Sequence, residues 1–271
     1  MTIATRDQLI DALAHGMQGF FDKASIASAV AGRFYSLWRA SGVPTNAAIP
    51  TAPVACNKNL LGALAFSNAP SALSTHLASV DLTTSNQAST VEIHDRLCQM
   101  GGLAGNVTTT QTTNLPLTLT GVSADRIGPD DYSQLQWWLE WYTSTGTTAV
   151  NATVTVIYND NSTGDIVVPL SASSSASGLY QILPYAAGKT GIKAVNSVTL
   201  SASTGTAGNF GVTCSRYRSG VNTQVANKVE SFDWASLGLP RIADDSCLFL
   251  LQLCSTTSTG TTRAVLRFAV G

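Results

Sequence analysis

The feature that most limits how this chain can fold is a two-residue alternation of apolar and polar side chains that starts near residue 132. In its first run, Leu135, Trp137, Leu139 and Trp141 alternate with Gln134, Gln136, Trp138 and Glu140. Further runs follow at 150–158, 166–168, 179–183, 192–202, 208–217, 247–254 and 263–270. Successive side chains of a strand point to opposite faces of a sheet, so each run predicts a strand with a buried face.

Turn sequences separate these runs. Residues 143–146 read Thr-Ser-Thr-Gly and residues 159–164 read Asn-Asp-Asn-Ser-Thr-Gly, each between two alternating runs, as in hairpins. Roughly eight strands in about 140 residues predict a mainly β fold, a jelly-roll-like antiparallel β-sandwich. We therefore assign residues 126–271 to a sandwich domain.

Residues 1–125 have a different pattern and predict an N-terminal arm of two helices followed by an extended Pro/Thr-rich segment. Thr5 and Gln8 match a capping box, and apolar residues recur at helical spacing up to Ser41-Gly42. Residues 43–90 contain four prolines and no sustained period, which favours an extended arm that gains its order on a neighbouring subunit. A short helix is expected over residues 91–100.

The charge content excludes several classes of function. Charged residues make up 11% of the chain and the net charge is −1. The 15 lysines and arginines are spread along the sequence, so no phosphate-binding surface and no nucleic-acid partner are expected. No uncharged apolar stretch is long enough to cross a bilayer, and no signal peptide is recognised, so no membrane partner is expected either.

No group of residues commits the chain to a reaction, so we expect no enzyme, no catalytic residues, no cofactor and no metal. The three histidines lie apart, and nucleophile-elbow and phosphate-loop motifs are absent. One alternative is a thiol hydrolase, because His94 and Cys98 would share one face of a helix. Another is a calcium site, for which carboxylates occur as Asp130-Asp131, Asp244-Asp245 and around Asp160 and Asp165.

Aromatic residues are the candidate interface. Four lie on the predicted arm helices and two lie on the side of the first strand run that faces away from Leu135 and Leu139. The six are Phe20, Phe21, Phe34, Trp38, Trp138 and Tyr142. Core or interface packing is the main interpretation of Trp138 and Tyr142, and stacking on a glycan is the alternative.

The five cysteines form no regular framework. Cys214, Cys247 and Cys254 fall in apolar strand sequences, which predicts that they are buried. Cys56 and Cys98 lie in polar surroundings and are the candidates for a disulfide between subunits.

The chain resembles structural proteins of tailed-bacteriophage virions, most closely capsid decoration or cement proteins. The resemblance rests on the overall pattern and on residues 33–39 (RFYSLWR), 94–103 (HDRLCQMGGL) and 203–213 (STGTAGNFGVT). It implies a homo-oligomer, often a trimer, that contacts other virion proteins such as the major capsid protein. It also implies a place in the virion, assembled in the host cytoplasm. A neck or tail virion protein and a carbohydrate-binding adhesin module are the alternatives.

Overall fold

The fold is mainly β and its strand pairings are antiparallel. A computed structural model describes residues 3–14, 16–70, 72–173, 175–184 and 186–271. The helices are α1 Arg6–Ala14, α2 Ala124–Ile127 and α3 Trp234–Leu237, with a 3-10 helix at Leu37–Arg39. The strands are β1 Gln18–Lys23, β2 Phe34–Ser36, β3 Gly42–Val43, β4 Val54–Ala55, β5 Thr75–Thr84, β6 Ser89–Leu103, β7 Leu135–Thr143, β8 Val150–Tyr158, β9 Thr163–Leu170, β10 Leu179–Ile182, β11 Ile192–Leu200, β12 Asn209–Thr223, β13 Glu230–Phe232, β14 Arg241–Ile242, β15 Leu248–Leu253 and β16 Thr262–Val270.

The strands form three sheets. A six-stranded sheet has the order β13-β5-β16-β1-β3, with β14 also paired to β5. A seven-stranded sheet has the order β10-β7-β12-β6-β15-β2, with β4 also paired to β6. A three-stranded sheet has the order β11-β8-β9. The seven-stranded sheet contributes buried residues to the cores shared with both of the others, so the molecule is a sandwich with a central layer.

Two hydrophobic cores hold the layers together. The larger one packs Trp137, Leu139 and Trp141 of β7 against the three-stranded sheet, including Val154 and Val156 of β8. The other packs Ile93 and Leu250 of the seven-stranded sheet against Phe21, Leu266 and Phe268 of the six-stranded sheet. These residues are the inward-facing members of alternating runs, which is why burial follows the two-residue period.

The predicted fold class, a mainly β, jelly-roll-like antiparallel sandwich, is confirmed. Each of the eight predicted runs after residue 132 contains a strand, from β7 to β12 and then β15 and β16. The turn predicted at residues 159–164 joins β8 to β9, and Asn161 takes the positive φ of 65° that such a turn requires. The hairpin predicted around residues 143–146 is wrong, because β7 and β8 lie in different sheets and do not pair with each other. The capping box is also confirmed, since the Gln8 backbone amide donates to Thr5 Oγ1 and Thr5 N donates to Gln8 Oε1.

The helical part of the N-terminal prediction is wrong beyond residue 14. Phe20 and Phe21 lie in β1, and the second predicted helix is replaced by β2 and the 3-10 helix. The helix expected at residues 91–100 is part of β6. In each case pairing with a distant strand outweighs local helical spacing: β1 pairs with β16, and β2 pairs with β15.

The boundary predicted near residue 125 does not coincide with a boundary between sheets. Before it, β6 lies between β12 and β15 in the seven-stranded sheet, and β5 and β1 flank β16 in the six-stranded sheet. The stretch predicted to be an extended arm, residues 43–90, includes β4 and the whole of β5, and Leu64 packs in the core between the sheets. Strands from both halves of the sequence therefore complete the same layers.

Within the described part of the chain, no helix combines the length and apolar character needed to cross a membrane.

Candidate functional site

The outer face of the six-stranded sheet presents a regular array of side chains from β5, β16 and β1. Register places Arg267 between Ser79 and Gln18, Val265 between Asp81 and Phe20, and Arg263 between Thr83 and Asp22. These nine residues are exposed or half-buried, whereas the residues between them on each strand are buried. We call this set the outer array.

Two ion pairs surround the middle of the outer array. Arg263 Nε lies 3.1 Å from Asp22 Oδ1, and Arg267 Nη1 lies 2.6 Å from Asp81 Oδ2. Hydrogen bonds from Arg267 and Ser231 hold the pKa of Asp81 below its usual value, so this carboxylate stays charged at neutral pH. The array thus carries two positive and two negative side chains and has no net charge.

The centre of the outer array is apolar and solvent-accessible. Phe20 is 55% exposed and stands beside the half-buried Val265, next to a recess of about 300 Å³ that Val229 also lines. Val43, on the edge strand β3, lies opposite Asp22 and is 42% exposed. An apolar centre inside a ring of charged side chains has the composition of a protein–protein contact surface.

The opposite side of the same strands is firmly held. Phe21, Ala264 and Leu82 alternate with array residues and are buried in the core. At the end of β1, the Lys23 ammonium is buried and donates to the carbonyls of Ala40 at 3.2 Å and Pro44 at 2.6 Å. The outer array is therefore carried by a rigid layer, which lowers the entropic cost of a contact made through it.

The six predicted interface residues are not brought together by the structure. Phe20 belongs to the outer array, Phe21 lies on the buried side of β1, and Phe34 is half-buried. Trp38, Trp138 and Tyr142 are each at most 3% exposed. The side of β7 that carries Trp138 is covered by the segment around residues 34–64, where Phe34 packs edge-on against Trp138 at 5.7 Å. Sequence periodicity does not reveal a cover of this kind.

Both candidate disulfide cysteines are buried inside the subunit. Cys98 of β6 stands opposite Cys214 of β12, and Cys56 packs in the cluster that contains Cys247. The five cysteines are free thiols, and the three that were predicted to be buried are buried. A bridge from Cys56 or Cys98 to another subunit requires the thiol to become exposed; it stays a prediction.

The structure does not provide the helical geometry on which the hydrolase alternative depends. His94 and Cys98 lie on a strand, where four residues span about 13 Å. Instead, His94 Nε2 lies 2.8 Å from Glu92 Oε2 and its Nδ1 lies 3.1 Å from Ser215 Oγ. Burial lowers the pKa of His94, against the opposing effect of Glu92. The expected helical Cys/His neighbour pair is therefore wrong, because the segment is extended.

Two of the carboxylates considered for a calcium site, Asp131 and Asp160, form hydrogen bonds with nearby residues. Asp131 accepts hydrogen bonds from the backbone and side chain of Ser133, and Asp160 accepts the same pair from Ser162 and forms an ion pair with Lys189. Asp244 and Asp245 are exposed in the loop before β15. Among the residues that the structure describes, which do not include His15, no three His, Cys, Asp or Glu side chains are placed to hold a metal ion.

Sequence reasoning missed a buried cluster of charged side chains at the centre of the molecule. Asp95 of β6 accepts from Arg126 Nε at 3.0 Å and Nη2 at 2.6 Å, and from Arg218 Nη2 at 3.2 Å. Ser246 Oγ and the Cys247 backbone amide also donate to this carboxylate. One buried carboxylate therefore ties together α2, β6, β12 and the loop before β15.

A second buried pair lies beside the first. Arg96 binds Glu140 and Thr213 and donates from Nε to Gln99 Oε1 at 2.7 Å. Burial by itself lowers the pKa of Arg96, but the charge and hydrogen bond of Glu140, together with other neighbouring groups, raise the pKa overall. A sequence signal was present: Asp95 and Arg96 are consecutive charged residues between the apolar residues Ile93 and Leu97, a pattern that fits paired buried charges as well as a polar surface.

Comparisons with known proteins give little beyond this geometry. No family model matches the chain, and no curated protein matches it. Among solved structures, the VP2 subviral particle of infectious bursal disease virus is 12% identical, with a TM-score of 0.20, over 93% of this chain and 79% of that one. A chain in the structure of the Gx strain of the same virus is 10% identical, with a TM-score of 0.20, over 94% of this chain and 81% of that one. These TM-scores lie far below those of chains that share a fold, so no property of VP2 is transferred from them.

Proposed function

We propose that this protein is a structural component of a virus particle, a capsid-associated decoration or cement protein that stabilises the shell through subunit contacts. The observation that carries the proposal is the outer array, an exposed apolar centre in a charge-balanced ring on a rigid sheet. The resemblance of the sequence to virion proteins of tailed bacteriophages supports the particular role. In this role the partners are further copies of the chain and other virion proteins such as the major capsid protein.

The rest of the molecule suits a mechanical role. Burying Asp95 and Arg126 as a fully hydrogen-bonded pair fixes the relative position of the elements that they join, because each misplacement would leave a buried charge without a partner. The long strands β6 and β12 pair along most of their length in the central sheet. A body of this kind transmits a contact on one face without local rearrangement.

The decisive experiment asks whether the chain belongs to particles. Virus particles purified from the producing host are separated on a density gradient, and the copy number of the chain per particle is measured by quantitative mass spectrometry. A fixed stoichiometry of many copies is expected. Absence of the chain from the particle fraction would overturn the proposal.

A variant pair tests the surface. Phe20→Asp places a charge at the centre of the outer array, and Val167→Asp places one at an equally exposed valine of β9. Phe20→Asp is expected to lower incorporation into particles strongly, whereas Val167→Asp leaves it unchanged. Equal incorporation of both variants would remove the outer array from the proposal.

A further inference from the structure

We propose that the outer array is the contact between two copies of this chain, packed face to face with their strands crossed and related by a two-fold axis. The inference rests on the proposed structural function and names the partner of the same surface. Its basis is the placement of charges that the register of β5, β16 and β1 creates.

The array behaves as a three-by-three grid centred on Val265. Its rows are Ser79-Arg267-Gln18, Asp81-Val265-Phe20 and Thr83-Arg263-Asp22. Neighbouring positions are about 4.8 Å apart across strands and about 6.7 Å apart along a strand. In a face-to-face isologous dimer the two-fold axis lies in the plane between the two arrays. Each grid position faces the position to which this axis carries it, so the array must be complementary to itself.

Simple orientations of the axis can be compared by the charges that they bring together. An axis parallel to the strands places Arg267 over the other copy's Arg267. An axis perpendicular to the strands places Asp81 over Asp81, and the diagonal through Ser79 and Asp22 places Asp22 over Asp22. Each of these brings like charges into contact, which destabilises an interface.

The remaining diagonal runs from Thr83 through Val265 to Gln18 and places only uncharged residues over their own copies. Arg263 of each copy then faces Asp81 of the other, and Arg267 faces the Phe20 ring, a favourable cation–aromatic contact. Asp22 faces Ser79. With these spacings the axis lies about 36° from the strands, so the strands of the two sheets cross at about 70°, nearer to the orthogonal than to the aligned arrangement of packed sheets.

The apolar surface agrees with the same arrangement. Val265 meets its own copy on the axis, and Phe20 leaves solvent beneath the alkyl stem of Arg267. The charged side chains then lie around the apolar contact, and Arg263 with Asp22 and Arg267 with Asp81 are already paired within each copy. The contact therefore removes the most exposed aromatic side chain of the sheet from water.

A complementation experiment tests the assignment of Arg263 to Asp81. Arg263→Asp and Asp81→Arg are made separately, and the sedimentation velocity of each pure variant and of their equimolar mixture is measured. Each single variant places like charges together twice in its homodimer, so its dimer dissociation constant is expected to rise by at least about tenfold. In the mixed dimer both contacts again join opposite charges, so dimers reappear near the wild-type dissociation constant.

Lys189→Asp, which removes a lysine from an ion pair at the β8–β9 turn, serves as the control and leaves dimerisation unchanged. Thermal unfolding checks that all variants are folded. Two folded, monomeric variants whose mixture stays monomeric would overturn the crossed arrangement. A wild-type chain that is monomeric in solution yet present in particles would overturn this inference and leave the proposed function standing. A chain absent from particles would overturn the proposed function separately.

Discussion

Arg126 donates two hydrogen bonds to the carboxylate of Asp95, from Nε at 3.0 Å and from Nη2 at 2.6 Å, and both side chains are buried from solvent. The two residues are 31 positions apart in sequence. Parallel hydrogen bonds between a guanidinium and a carboxylate fix orientation as well as distance. The pair therefore positions the short helix α2 against the central strand β6.

Replacing Asp95 by Asn is expected to destabilise the fold by about 3–5 kcal/mol, because Arg126 and Arg218 then remain buried without a countercharge. The free energy of unfolding is measured by urea denaturation. Asp22→Asn, in the solvent-exposed pair with Arg263, serves as the matched control and is expected to cost under about 1 kcal/mol. Equal losses for the two variants would show that the buried cluster contributes no more than a surface pair.

Lys23 gives a prediction for alkaline pH. Burial lowers its pKa from 10.5 to about 8. Below pH 8 the folded and unfolded chains both hold the proton, and the cost of burying the charge is complete. Between about pH 8 and 10.5 the unfolded chain binds more protons than the folded one, so the contribution of Lys23 to stability becomes more favourable as pH rises.

The measurement compares wild type with Lys23→Met. The difference in the free energy of unfolding, wild type minus variant, is expected to increase across that window by on the order of a few kcal/mol. Lys228→Met provides a control at an exposed lysine. A wild-type-minus-variant difference that is flat across the window would contradict the prediction.

The thiols are expected to resist modification in the native protein. Burial raises the pKa of Cys254 to about 12 and also raises that of Cys214 and Cys247, so little thiolate is present at pH 8. A maleimide or aromatic disulfide reagent should label none of the five thiols rapidly before urea is added and all of them afterwards. A covalent dimer on a non-reducing gel, lost in the Cys56→Ser or Cys98→Ser variant, would establish the bridge between subunits instead.

Trp138→Ala is expected to destabilise the protein by about 3–5 kcal/mol, the usual cost of removing a buried aromatic side chain. The variant loses the packing against Phe34 and the hydrogen bond from Trp138 Nε1 to Ser215 Oγ at 3.2 Å. Phe20→Ala, at an exposed position, is expected to change stability by less than about 0.5 kcal/mol. A Trp138→Ala protein of wild-type stability that had lost binding to an immobilised glycan would favour the carbohydrate-binding alternative.

Much of the fold after residue 132 was predictable, because the alternation that marks a strand is local. Before that point the same signal is weaker. Strand β6 carries Asp95 and Arg96 at buried positions, so its sequence does not alternate between apolar and polar residues. Strand β1 is only six residues long, and its Phe20-Phe21 pair also fits a helix. In both cases the deciding interactions join residues far apart in the chain.

The sequence predicted only part of the outer array. Phe20 was a candidate interface residue, but nothing local distinguished it from Trp138, which is buried. Exposure depends on what covers a side chain. Residues 34–64 cover one side of β7, whereas among the described residues α1 covers only the end of the outer face of the six-stranded sheet, at Ala78 and Ala269, and leaves Phe20 exposed.

The sequence by itself determined the strand class, the hairpin turn between β8 and β9 and the low charge, because each depends on neighbouring residues and elementary side-chain chemistry. The tertiary structure alone decided that Gln18 lies opposite Arg267, that Asp95 meets Arg126, and that Phe20 faces solvent. The physical reason is that strand register, charge pairing and burial arise from contacts between segments that are distant in the chain, and no local period encodes those partners.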